Sequence, residues 1–208
     1  MPASSFTNTI AALTQDEQLE LKKLALQVIT QAIAQDRFVL PKPPKLKTLQ
    51  QVAANFVTLY TGEKLSDDKQ EKGELRGCIG CFSTEQPLWK SVCQHAYSSA
   101  FEDYRFTALQ KTELTTLRIE ISILSELEPI ENNGEQALQA TLVPDVDGLL
   151  LKERTLYGVK RSAIFLPSVW HSLKSAESFV LALKQKGGWS SDYWCENIEL
   201  FRFHTQVF

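Results

Sequence analysis

The sequence predicts an α+β fold in which a mostly antiparallel sheet packs with helices. Three observations carry this. Apolar residues recur at helical spacing from Leu21 to Ile33, whereas Leu117, Ile119, Ile121 and Ile123 alternate with Arg118, Glu120 and Ser122 at the period of a strand with one wet face. Helical and extended segments do not alternate regularly, which makes a doubly wound parallel sheet the weaker choice.

A chain of 208 residues and 23.5 kDa has the size of one large domain, or of one domain with a small appendage. With 43% hydrophobic and 23% charged residues it can bury a full core. The net charge of -3 and pI of about 5.7 exclude the lysine and arginine excess that phosphate-backbone binding needs, so nucleic acid is not an expected partner. No stretch approaches the ~18 to 20 consecutive apolar residues of a bilayer span, and the first residues lack a basic segment followed by a hydrophobic core. A cytoplasmic chain without membrane association is the expectation. Four cysteines, Cys78, Cys81, Cys93 and Cys195, are few for this length, and reduced thiols are expected.

Along the chain, Thr14 and Glu17 have the spacing of a capping box, which starts a helix from about Gln15 to Gln35. Pro41, Pro43 and Pro44 then mark an extended connection. Ala54 to Tyr60 reads as a strand, the charged run between Gly62 and Gly73 as a solvated hairpin loop, and Glu74 to Phe82 as the return strand. Leu88 to Ala100 reads as a helix with Pro87 at its first turn. After the alternating strand come a hairpin from Gly148 to Lys152 and Val159 to Leu166, a helix from Ser175 to Lys186 ended by Gly187 and Gly188, and a last strand from Ile198 to Phe203.

Leu75-Arg76-Gly77-Cys78-Ile79-Gly80 resembles the signature hexapeptide of the AMMECR domain family, named for the Alport syndrome, mental retardation, midface hypoplasia and elliptocytosis chromosomal region. Ala100 to Phe106, Leu117 to Ser125 and Phe165 to Trp170 resemble further blocks of that family in its order, covering about residues 50 to 205. The resemblance implies a single domain over 1–208, with 1–45 as an N-terminal helix and proline-rich connection. It also implies an α+β fold whose larger part, with a mixed or antiparallel sheet, carries a smaller subdomain alongside. Bacterial members resemble component A of the three-part AmmeMemoRadiSam system, which implies a Memo-like protein and a radical S-adenosylmethionine protein as partners. The resemblance implies no particular reaction. His95 and Tyr104 depart from it, standing where the family has asparagine and proline.

Among residues that could carry chemistry, Cys78 is a candidate thiol nucleophile whose thiolate Arg76 could stabilise, and Arg76 a candidate anion holder. The alternative is that Cys78 is a small residue packed where the backbone runs close to a neighbour. His95 is a candidate proton carrier that could face Cys78 from the following helix, or else a surface histidine. Cys78 and Cys81 form a C-x-x-C pair to which Cys93 and His95 could add, but a strand points residues 78 and 81 to opposite faces, and no metal is assigned. Gly77 and Gly80 allow close backbone approach. Glu102, Asp103 and Arg105 are a candidate ligand group or a loop-holding salt bridge, with a pair to Arg76 as the link between the two motifs. Lys160 and Arg161 are a candidate anion pocket or a solvated hairpin face. Trp89, Trp170, Trp189 and Trp194 read as core rather than as base-stacking platforms. No phosphate loop, dinucleotide fingerprint, nucleophile elbow or zinc helix selects a reaction or a cofactor. Two functions follow as expectations: a small-molecule enzyme or enzyme subunit built on Cys78, and a noncatalytic adaptor that docks a partner on the hexapeptide.

Overall fold

The structure, a computed structural model, describes residues 12–62 and 73–208. The charged loop expected between Gly62 and Gly73 falls almost wholly outside them. In chain order the helices are α1 (Gln15–Gln35), α2 (Leu88–Phe101), α3 (Glu135–Thr141) and α4 (Ala176–Lys186). The strands are β1 (Asn55–Thr61), β2 (Glu74–Cys81), β3 (Arg118–Leu124), β4 (Glu128–Ile130), β5 (Gly148–Thr155), β6 (Gly158–Phe165), β7 (Ile198–Phe203) and β8 (Thr205–Val207). These form an α+β fold with two four-stranded sheets, in the orders β2-β1-β3-β8 and β4-β7-β5-β6. None of the described helices is long and apolar enough to cross a membrane. The chain divides into two compact units, one running to Leu124 and regaining Gln206–Phe208, the other spanning Ser125–Thr205.

In the first unit α1 begins as its sequence requires. The Thr14 N–H donates to Glu17 Oε2 at 2.8 Å, and Thr14 Oγ1 accepts from the Glu17 N–H at 3.4 Å, so two amides orphaned at the helix start are satisfied. Its stripe of Leu21, Leu24, Ala25, Val28 and Ile29 packs with Val92, Cys93 and Ala96 of α2 and with Val57, Leu59, Ile121 and Ile123 of the sheet. Each Val, Leu or Ile among them contributes about 1.5–3 kcal/mol on full burial. β1 lies antiparallel to both neighbours, with Thr58 opposite Cys78 on one side and opposite Glu120 on the other. Since Val57 and Leu59 face the helices, Thr58, Cys78 and Glu120 stand on the other face. That face is less wet than the alternation implies: Ser122 and Thr58 are buried and Glu120 is half-buried. The polar side chains of β3 therefore mark a polar surface rather than a solvated one.

In the second unit β5 and β6 form the expected hairpin, longer than its apolar stretch because charged residues continue both strands. The Trp170 ring stacks on Phe179 at 3.9 Å in a core with Leu149, Leu151, Leu183 and Leu200. Lys184 is fully buried there, its ammonium 2.6 Å from Glu135 and 2.6 Å from the Ser191 carbonyl. α4 is started by Ser175, whose Oγ accepts from the Ser178 N–H, and it stops at Gly187 and Gly188, the latter at φ 75°. Three of the four tryptophans, Trp89, Trp170 and Trp189, are buried, and Trp194 packs at the edge of this core with its indole N–H on Asn132.

Candidate functional site

The hexapeptide lies on β2, the outer strand of the first sheet. A Cβ on Gly77 would stand 2.0 Å from the Ser99 carbonyl, so only glycine lets α2 come this close. The approach has a purpose in the ladder. The Ile79 N–H donates to Ser99 Oγ at 2.9 Å, and the Ser99 hydroxyl donates to the Val57 carbonyl at 2.8 Å, so a helix hydroxyl is inserted between strand partners. Gly80 leaves room for the ring of Phe56.

On the open edge of β2, the backbone of Cys78 is clasped by the second motif. Its N–H donates to Asp103 Oδ2 at 2.9 Å, and its carbonyl accepts from Arg105 Nη2 at 3.3 Å. Asp103 and Arg105 are joined by two side-chain bonds of 2.9 and 2.6 Å and by the Arg105 N–H, which donates to Asp103 Oδ1 at 3.2 Å. Arg105 holds the buried Asp103 carboxyl down at about 2. Thus the two motifs do meet, through the Cys78 backbone. The expected link to Arg76 is replaced: Arg76 Nε and Nη2 fork onto Glu113 at 2.6 and 3.2 Å, and Nη2 also reaches the Thr107 carbonyl at 2.8 Å. This pair keeps Glu113 below its usual carboxylate range. Phe106 packs under both guanidinium groups, 5.9 Å from that of Arg76 and 5.3 Å from that of Arg105. Arg76 is 9% exposed, and its Nη1 is buried with no hydrogen-bond acceptor among the described residues. Glu102 turns elsewhere, accepting from Ser98 at the end of α2.

The thiol of Cys78 is half-buried on the outer face and accepts from Thr58 Oγ1 at 3.3 Å. Across the sheet Cys78, Thr58 and Glu120 make a row, about 10 Å from first strand to third. Tyr60, on the same face, donates its hydroxyl to Glu120 at 3.4 Å, and burial with the nearby Glu120 and Cys78 pushes its phenol up, so it stays protonated. Thr58, Tyr60 and Glu120 share this face with Cys78 and are not among the candidates read from the sequence. Their signal was the strand period itself, which puts 58 and 60 of β1 on the face of 120 once the register is known.

His95 does not face Cys78. Its Nδ1 is 2.8 Å from Asn55 Oδ1, and Asn55, paired with Cys81, belongs to the helix side of the sheet. The Asn55 amide N–H groups go to Ala53 and Ser91, so its oxygen is the acceptor and His95 carries its proton on Nδ1. Burial lowers its pKa to about 4. The same register turns Cys78 and Cys81 to opposite faces, and burial pushes the thiols of Cys81 and Cys93 up, Cys93 to about 12. All four cysteines lie outside any disulfide.

Lys160 and Arg161 are in the second unit, each ion-paired with Glu153 at 3.1 and 2.9 Å. Burial would raise the Glu153 carboxyl, but Trp189, Tyr193 and the two cations bond to it and bring it to about 2. Both cations are committed to a carboxylate of their own hairpin.

The AMMECR1 family model matches residues 22–208. A protein of Thermofilum pendens is 26% identical over 200 residues, covering 94% of this chain and 91% of that relative. One from Sulfolobus acidocaldarius is 33% identical over 159 residues, 74% of this chain but 64% of its own length. The crystal structure of uncharacterized protein PH0010 from Pyrococcus horikoshii superposes with a TM-score of 0.77 at 25% identity, covering 90% of this chain and 88% of that one. With the hexapeptide, its clasp and nearly the whole sheet inside the matched span, the chain belongs to the AMMECR1 family.

Proposed function

We propose that the chain is a small-molecule enzyme or enzyme subunit whose nucleophile is Cys78. The observation that supports this is the row of polar side chains, Cys78, Thr58 and Glu120, on a sheet face turned away from the helices. A sheet surface serving packing alone has apolar groups in such half-buried places. In this reading the Thr58 hydroxyl donates to sulfur and stabilises the thiolate, Glu120 accepts the proton while Tyr60, itself kept protonated, holds that carboxylate, and the partly exposed Arg105 draws an anionic substrate. Arg76 holds the motif through Glu113 and keeps Nη1 for a water molecule or a substrate oxygen. His95, neutral and on the helix side, serves packing. A cytoplasmic location suits a chain whose cysteines are all outside disulfides.

Timed alkylation with iodoacetamide, read by mass spectrometry, tests this. Cys195 shares the intermediate exposure of Cys78 and is the reference for access, whereas burial by itself slows Cys81. Cys78 should react at least about tenfold faster than Cys195, and Thr58→Val should remove most of that advantage. A metabolite screen should turn up an activity absent from Cys78→Ser. Equal rates at Cys78 and Cys195 would end the nucleophile assignment.

A second reading is a noncatalytic adaptor for a Memo-like or radical S-adenosylmethionine protein. It is favoured by the exposure of Tyr104 at 94% and Leu75 at 43%, next to the clasp and to the hexapeptide's start. Co-purification with such a partner should then fail for Tyr104→Ala and survive Cys78→Ser, the reverse of the enzymatic expectation.

A further inference from the structure

α1 carries a second stripe beside the one that enters the core. Leu19, Lys22, Lys23 and Leu26 fall at the i, i+3, i+4, i+7 spacing of one helix face, and Leu19 and Leu26 are 67% and 45% exposed. The four line an open groove of about 660 Å³ whose far wall includes Ile119 and Phe208. Two lysines stand on its α1 side. The Lys22 ammonium lies 5.9 Å from the centre of the Phe208 ring. Lys23, 72% exposed, has a 3.8 Å pair with Glu20, an exposed contact that contributes little and can be exchanged. Glu120 and Arg118 lie on the opposite wall and offset one another in charge.

We propose that this groove docks an acidic amphipathic helix of a partner protein, with apolar side chains entering at Leu19 and Leu26 and carboxylates meeting Lys22 and Lys23. In helix-in-groove recognition it is the inserted helix that carries apolar anchors at i, i+3, i+4 and i+7. The order along α1 favours a helix over a single acyl chain with an anionic head: the two lysines lie between the two leucines, whereas one headgroup calls for cations gathered at one end. The groove adjoins the Cys78 row, since Tyr60 and Glu120 line its far wall, but the docking residues on α1 take no part in that row.

Calorimetric titration of the full chain tests this with a synthetic helical peptide that carries leucines at i, i+3 and i+7 flanked by glutamates, and with a copy in which lysines replace the glutamates. The acidic peptide should bind one to one, and Kd should rise at least about tenfold in Leu26→Glu and in the double variant Lys22→Glu/Lys23→Glu. The basic peptide should bind the double variant better than the unaltered chain. Circular dichroism melts check that both variants stay folded. Equal binding of the two peptides, no binding of the acidic one, or indifference to both variants overturns the proposal. So does saturation of the groove by laurate when the acidic peptide does not bind, which would assign it to a single-chain amphiphile.

Discussion

Asp103 has the largest structural duty of any single side chain at the site, because its carboxylate serves a strand amide and a guanidinium at once. Replacing it by asparagine leaves Arg105 without its counter-ion; with Arg105 partly in solvent, urea unfolding should show a loss of about 2 kcal/mol. In the unaltered protein this contribution is complete above pH 3.8 and fades as pH falls towards 2, since the folded pKa is the lower one. His95 acts at higher pH. Its ring titrates near 6.5 when unfolded and near 4 when folded, so the unfolded chain takes up the proton first and stability falls as pH drops between those values. The loss is on the order of 2–3 kcal/mol. His95→Asn should flatten that part of a stability-against-pH curve, and an unchanged slope would show that the ring is not held neutral. At this scale the sequence announced which residue types matter. It did not announce their partners: Arg76 and Glu113 are far apart in the chain, and only the fold brings them together.

The contact between α2 and β2 is where element and motif meet. Gly77→Ala must push Ser99 away from the strand and should cost more than about 2 kcal/mol, with α2 amides losing hydrogen-exchange protection. Ser99→Ala leaves the Ile79 N–H and the Val57 carbonyl without their bridge, at about 1–3 kcal/mol by the same unfolding assay. Most elements were legible in the sequence. α1 agrees with its capping box and apolar stripe, and β3 with its alternation, because each pattern is local and long. α3, β4 and β8 were not legible. They have only seven, three and three residues, too few for a period to show, and their strands exist through pairing with β7 and β3. The expectation that His95 faces Cys78 failed for a related reason. Helical periodicity gives the face of α2, while the strand register decides which side of the sheet meets it.

At the scale of the whole molecule, the second unit is an insertion: the chain leaves the first sheet after β3 and returns to it in β8, just past which Phe208 exchanges two backbone hydrogen bonds with Ile121. The points of departure and return are neighbours, since the Ser125 N–H donates to the His204 carbonyl at 2.9 Å and the His204 N–H to Ser125 Oγ at 2.9 Å. Replacing residues 126–203 by a short glycine–serine linker should therefore leave a first unit that folds, shown by a cooperative urea transition; loss of that transition would mean that the unit needs its insert. The clasp on Cys78 also matters to the molecule among its neighbours. An outermost strand with bare amides invites foreign strands to extend the sheet, and here a carboxylate and a guanidinium already occupy those positions. A foreign strand that pairs at Cys78 must first displace this clasp, which disfavours lengthening the ladder at the centre of the motif.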